Sequence, residues 1–215
     1  MRRVTKTGFI YPITLLLILL AFASCSRPKL AFDDYTVIDV TYPEQEEMEQ
    51  AETVKITKGN DSFVIIPQAK YRVGAVVRSK KAYRSDSMAK ISPYDFALVW
   101  GFLADEHFYR QLKISQGGRR YFFRPKKNSE LSLDWVYLHS SNHHLIPAND
   151  NIRLALRSVR KNDRVQLEGY LVIVRAKVKG RTFTWRTSLA RDDRGDGSCE
   201  IMLVEKIKIN YSVYE

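Results

Sequence analysis

Alternation of apolar and polar positions dominates the last third of the chain. Between Asp163 and Val174, the residues Val165, Leu167, Leu171 and Ile173 fall on one side of an extended backbone, which predicts a strand with one apolar face. The polar turn Lys177 to Arg181 follows. Phe183 and Trp185 then alternate within Thr182 to Ser188, as expected for the returning arm of an antiparallel hairpin. After the charged loop Arg191 to Gly197, Cys199 to Ile209 reads as a closing strand.

The same pattern runs upstream. Thr53 to Thr57, Ser62 to Ile66 and Lys70 to Arg78 read as strands separated by Gly59-Asn-Asp61 and by Pro67, with Gly74 marking a bulge or bend. Gln116-Gly-Gly118 is a turn, and Arg119 to Arg124 leaves it as the second arm of a hairpin. One helix has a full signature. Asn149 or Asp150 caps it, Ile152, Ala155, Leu156 and Val159 share a stripe, and Arg153, Arg157, Arg160 and Lys161 take the other face. Ser92-Pro-Tyr-Asp95 has the form of a helix start, yet Phe96 to Gly101 lacks a polar face and fits a buried strand equally. These elements predict a mostly β fold: a small antiparallel β-barrel, OB-like, with one or two short helices.

Length and composition change this picture at the N-terminus. The 215 residues suit one domain plus a leader, and 45% apolar with 27% charged residues is ordinary globular material. Arg2, Arg3 and Lys6 precede the uncharged run Gly8 to Ser24, which includes Leu15 to Leu20 and ends in Phe22-Ala-Ser-Cys25. A positive start, a short apolar stretch and small residues before a cut describe a bacterial secretory signal. The placement of Cys25 resembles the lipobox of bacterial lipoproteins, whose cysteine becomes the lipidated first residue. Phe22 stands where that pattern more often has Leu. The alternative is an uncleaved anchor, for which 17 uncharged residues are short of the roughly 20 that a span needs. The expected division is a signal or anchor over 1–24, an acidic flexible tether over 25–52 and a β-rich domain over 53–215. With Cys25 lipidated, Cys199 has no intramolecular partner and reads as a small buried hydrophobe.

Charge is segregated along the chain. Residues 1–29 hold five Lys/Arg and no acid, residues 30–53 hold eight Asp/Glu and no base, and the rest carries 30 basic and 16 acidic residues, for a net charge of +11. Tyr42 to Glu52 is too charged and too poor in apolar residues to bury itself, so it reads as a spacer, with a lid over the basic body as the alternative.

Four stretches carry a resemblance: Ser92 to Gly101, Ser140-Ser-Asn-His-His-Leu-Ile-Pro-Ala148, Asp163 to Val172, and Trp185 to Glu200. On these the chain from about Lys70 to Ile209 resembles a family of uncharacterised bacterial exported proteins. The resemblance implies an envelope setting and assigns no catalytic residue.

Candidate chemistry concentrates in two places. His139, His143 and His144 lie within Leu138 to Leu145, but the surrounding Ser-Ser-Asn and Pro147 oppose a helical zinc site, and no glutamate follows His139 to act as a base. Ser140, Ser141, Asn142, His143 and His144 are therefore expected on one recognition loop (Ser140 to Asn149), and Arg191, Asp192, Asp193 and Asp196 on another. The Asp192 to Gly197 stretch fails as a calcium loop, having arginine at the third position and Leu203 where a bidentate glutamate belongs. Gly-x-Ser-x-Gly is absent. The leading expectation is a membrane-tethered envelope lipoprotein, lipidated at Cys25, whose domain binds an envelope protein or anionic polymer and needs no cofactor. One alternative is a metal-assisted hydrolase using His139, His143 and His144 with Asp192 and Asp193. The other is a single-strand nucleic-acid-binding barrel, less favoured, with a groove formed by Arg119 to Lys127 with Lys80, Lys81 and Arg84.

Overall fold

The computed structural model describes residues 26–49, 52–190, 193, 195 and 197–215. The leader with Cys25, and Arg191, Asp192, Arg194 and Asp196, lie outside them. Among the described residues no helix is long and apolar enough to cross a membrane.

In chain order the strands are β1 (Phe32–Asp33), β2 (Glu44–Glu47), β3 (Val54–Lys58), β4 (Asp61–Ala82), β5 (Tyr94–Val99), β6 (Leu112–Gly117) and β7 (Arg120–Pro125). They continue as β8 (Ser140–Pro147), β9 (Arg164–Val178), β10 (Arg181–Arg186), β11 (Glu200–Ile209) and β12 (Ser212–Tyr214). Three helices intervene: α1 (Glu106–Tyr109), α2 (Leu133–Leu138) and α3 (Asp150–Ser158). The fold is mostly β, as expected, with β6 and β7 forming a separate hairpin and the other strands joining one large sheet.

That sheet is mixed, which corrects the antiparallel expectation. β8 and β11 run parallel, Glu200 opposite His143 and Val204 opposite Pro147. The remaining pairs, β4–β5, β5–β8, β4–β9 and β9–β11, are antiparallel. β11 thus has β8 on one edge and β9 on the other, so the pairing path β11-β8-β5-β4-β9 returns to its starting strand.

The predicted hairpin is β9–β10, with Phe183 opposite Ala176 and Trp185 opposite Val174. The predicted helix is α3. The Asn149 side chain accepts a hydrogen bond from the Ile152 N–H at 2.9 Å, and Ile152, Ala155, Leu156 and Val159 are buried against Tyr71, Leu145, Leu167 and Met202. Its other end is closed from β4, where the Lys80 ammonium donates to the carbonyls of Leu156, Arg157 and Val159 at 2.6–2.9 Å.

Three expectations change. Ser92-Pro-Tyr-Asp95 begins no helix. Phe96 to Val99 belongs to β5, buried between β4 and β8, where a residue run with no polar face fits a strand covered on both sides. Pro67 divides no strands. It lies inside β4, opposite Val172 of β9 at a register shift before Ala69, and on the other edge it falls between the part paired with β3, ending at Ile65, and the part paired with β2, starting at Ala69. The acidic segment also departs from the spacer reading. β1 pairs with β12, β2 pairs with β4, and Ile38 is buried. Gly74 accounts for part of this path, since a Cβ there would stand 1.7 Å from the Asp39 carbonyl oxygen.

Candidate functional site

Ser140 to Pro147 was expected as a loop and is instead a central strand, buried at every position. Alternation distributes its polar side chains to opposite faces of the sheet. Ser141 and His143 share the face of Leu145, toward the main core, while Ser140, Asn142 and His144 share the face of Ile146.

On the core face, the His143 ring stacks on Tyr71 with centroids 5.8 Å apart and meets Trp100 edge-on. Its Nε2 lies 3.2 Å from the Tyr71 hydroxyl and its Nδ1 3.9 Å from a Glu200 carboxylate oxygen, to which the Ser141 hydroxyl donates. This is a buried polar network in which the Ser141 hydroxyl is bound to a carboxylate instead of an imidazole base.

On the other face, Asp95 from β5 lies beside His144, with its carboxylate 3.0 Å from His144 Nδ1 but off-axis for a hydrogen bond. The other Asp95 oxygen accepts from Arg119 Nη1 at 3.0 Å. Arg119 sits at the β6–β7 turn with φ of 64°, reaches Asp86 at 2.8 Å and the Ser92 carbonyl at 2.9 Å, and lies over the Tyr83 ring at 4.0 Å. Its guanidinium is therefore occupied in clamping the hairpin tip to the segment before β5. Beside it, Gln116 donates to the Asn142 side-chain oxygen at 2.6 Å, and the Tyr121 hydroxyl lies 3.1 Å from the Ser140 hydroxyl. Burial pushes the Tyr121 phenol well above its ordinary range.

This second face opens to solvent between the hairpin tip and β10. Trp185 comes over from β10 until its ring is 4.7 Å from that of His144. The resulting cleft, about 390 Å³, has His144, Trp185, Thr184, Arg120, Arg186 and Cys199 in its lining. A second cleft of about 300 Å³ shares Arg120 and Cys199 with it and extends toward Tyr121, Phe122 and Tyr137. Burial pushes the Cys199 thiol up to about 12, so it is protonated at neutral pH and fits the small-hydrophobe expectation better than that of a nucleophile.

The expected constellation is redistributed by this geometry. His139 lies at the end of α2, its Nδ1 2.9 Å from the Trp135 carbonyl and its ring against Phe102 at 4.5 Å. His143 and His144 face opposite ways, so the three histidines do not converge on one ion. Among the described residues no group of three His, Cys, Asp or Glu side chains is placed to hold a metal. Asp193 accepts from the Ser188 hydroxyl at 2.5 Å and shapes the loop before β11. Arg191, Asp192 and Asp196 lie outside the described residues. Of the cations expected in a groove, Lys80 is committed to α3 and Arg119 to Asp86 and Asp95. Asp95, Glu200, Tyr71 and Trp185 are the site residues that sequence reasoning missed. For Trp185 the alternation with Phe183 was visible, but its neighbour His144 was not. No family model, no curated protein and no solved structure matches the chain.

Proposed function

We propose that the protein is a lipoprotein of the bacterial cell envelope, tethered through Cys25, whose domain is an OB-type barrel that binds a partner and performs no chemistry of its own. The leader and its small residues before Cys25 support the address. The barrel reading is supported by the pairing path that returns to β11, and by α3, which connects β8 to β9, the third and fourth strands of that path in chain order, and packs on its core. OB-type barrels take extended polymers across the second and third strands, between the loops that follow the first and fourth. Here those strands are β5 and β8.

The observation that carries the binding reading is the cleft on that face. It offers an aromatic ring at Trp185, an imidazole whose Nδ1 side is turned to Asp95 so that the Nε2 side meets the ligand, and a volume within the range of ligand sites. The buried carboxylates nearby are engaged with Arg119 or with Ser141. A photo-crosslinking residue at Arg120, on the hairpin side of the cleft, used in intact cells, should give an adduct of discrete mass that is lost with His144→Ala and Trp185→Ala combined. The same probe at Tyr35, which is 76% exposed and far along the sheet order, should not give it. An equal adduct at both positions, or none at Arg120, would overturn the assignment of this cleft.

A further inference from the structure

Beyond the closed pairing path, β3, the start of β4, the end of β9 and β10 continue as a four-stranded arm. One face of this arm is packed: Phe63, Ile65, Val174, Ala176 and Val178 are buried. The other face is fixed by register. Lys55, Val64, Arg175 and Thr184 stand in one cross-strand row, Thr57, Ser62, Lys177 and Thr182 in the next, and Ile66, Ile173 and Arg186 in a third.

This face has four exposed cations, Lys55, Arg175, Lys177 and Arg186, and no carboxylate. None of the four makes an ion pair among the described residues, whereas elsewhere on β4 Lys70 and Arg72 are matched to Glu46 and Glu44 of β2, and on the arm's packed side Lys90 meets Asp61. Like charges two residues apart on a strand sit about 6.6 Å apart and repel, so the folded state is left with an uncompensated field. The side chains between them are short: Thr57, Ser62, Val64, Thr182 and Thr184. A flat surface with charges above short neighbours admits a chain lying across it and contributes no ring for base stacking, since Phe183 and Trp185 belong to the opposite face.

We infer that this face is a second binding surface, centred on Lys55, Arg175 and Lys177 and bordering the cleft at Thr184 and Arg186, for a flexible linear polymer carrying repeated anionic groups. The tether argues for a polymer over the lipid surface that would hold the protein. Ser26 and Lys29 are bound at α3 through Arg157 and Asn151, beside the start of β9, whereas Arg175 and Lys177 lie about 36–43 Å farther along the length of that strand. A lipid on Cys25 would leave the arm projecting away from its membrane.

The test uses the full chain in neutral detergent micelles, titrated at 50 mM and 200 mM salt with long-chain inorganic polyphosphate and with poly-glutamate. Binding to the first alone assigns phosphate as the recognised group, to the second alone carboxylate, and to both repeated charge itself. Combining Lys55→Gln, Arg175→Gln and Lys177→Gln should weaken that binding at least tenfold at 50 mM salt. It should also make the dependence of log K on log salt shallower by about one per cation removed. A control that removes three exposed cations of the β6–β7 hairpin, Lys113→Gln, Arg124→Gln and Lys126→Gln, should stay within twofold of the parent. His144→Ala with Trp185→Ala should leave it unchanged, which separates this surface from the cleft. An unchanged thermal midpoint in the arm variant shows that its fold is retained. The inference is overturned if neither polymer binds, if arm and hairpin variants weaken binding equally, if a thymidine oligonucleotide of equal charge binds tighter than both polymers, or if only anionic vesicles bind.

Discussion

At the scale of single residues, the buried polar groups of β8 explain why this segment reads as a loop and folds as a strand. Ser-Ser-Asn-His-His is polar at five successive positions. Four of these groups meet partners far away in sequence, Ser141 with Glu200, Asn142 with Gln116, His143 with Tyr71 and His144 beside Asp95, while the Ser140 hydroxyl donates to the Val136 carbonyl at 2.6 Å. A buried polar group costs free energy only while it lacks such a partner, and partners 26 to 72 residues distant leave no local signature. Lys208 makes the same point with a measurable consequence. Nearly fully buried on β11, it donates to Asp34 at 2.6 Å and to the Thr36 carbonyl at 2.8 Å, tying the N-terminal segment to the sheet. That hydrogen bond holds the Asp34 carboxyl down at about 2. Its folded value lies below its unfolded one near 4, so the stabilisation is fully present above pH 4 and is lost as pH falls through about 2. The protein should therefore melt higher than its Asp34→Asn variant at pH 6, and the gap should close progressively between pH 4 and pH 2. A gap that is constant over that window would sink the assignment.

At the scale of elements, what was legible depended on whether the stabilising contacts were periodic or particular. β9, β10 and α3 each carry a repeat, of two or of 3.6 residues, over enough positions to specify type. On β9, however, the buried side expected from Val165 to Ile173 holds only to Leu171, beyond which Val172, Val174, Ala176 and Val178 are buried instead. β5 carries neither, because it is covered on both sides, and its sequence fits helix and strand alike. The acidic segment fails differently. Its composition resembles a spacer, and only a few contacts hold it: Asp34 with Lys208, Ile38 in the core, the Asp39 backbone against Gly74, and Glu44 with Arg72. Of these the surface ion pair contributes least. Ile38→Ala discriminates a spacer from an integral segment. It should destabilise the protein by about 2–4 kcal/mol in chemical denaturation, the usual cost of truncating a fully buried isoleucine. A change within 0.5 kcal/mol would return the segment to the spacer reading.

At the scale of the whole molecule, the charge segregation seen in the sequence becomes a spatial division. The acids of β2 lie on the part of β4 that bears Lys70 and Arg72, and they leave the arm beyond it uncompensated. Cleft and arm are thus served by opposite faces of the same β9–β10 hairpin: Trp185 on one, Arg175 and Lys177 on the other. In the proposed lipoprotein the tether would enter at a third place, beside α3, where Ser26 and Lys29 meet Arg157 and Asn151. Separation of tether from binding surfaces has a consequence for a chain released from its lipid. Cys25→Ser should abolish metabolic labelling with palmitate and move the protein out of the total membrane fraction. It should leave the affinity of the purified protein for the anionic polymer within twofold of the parent, because none of the binding residues lies at the α3 end. An unlabelled chain that stays in the membrane fraction would mean that the leader is an uncleaved anchor. Loss of polymer affinity along with the lipid would mean that the membrane, and not the arm, supplies the binding.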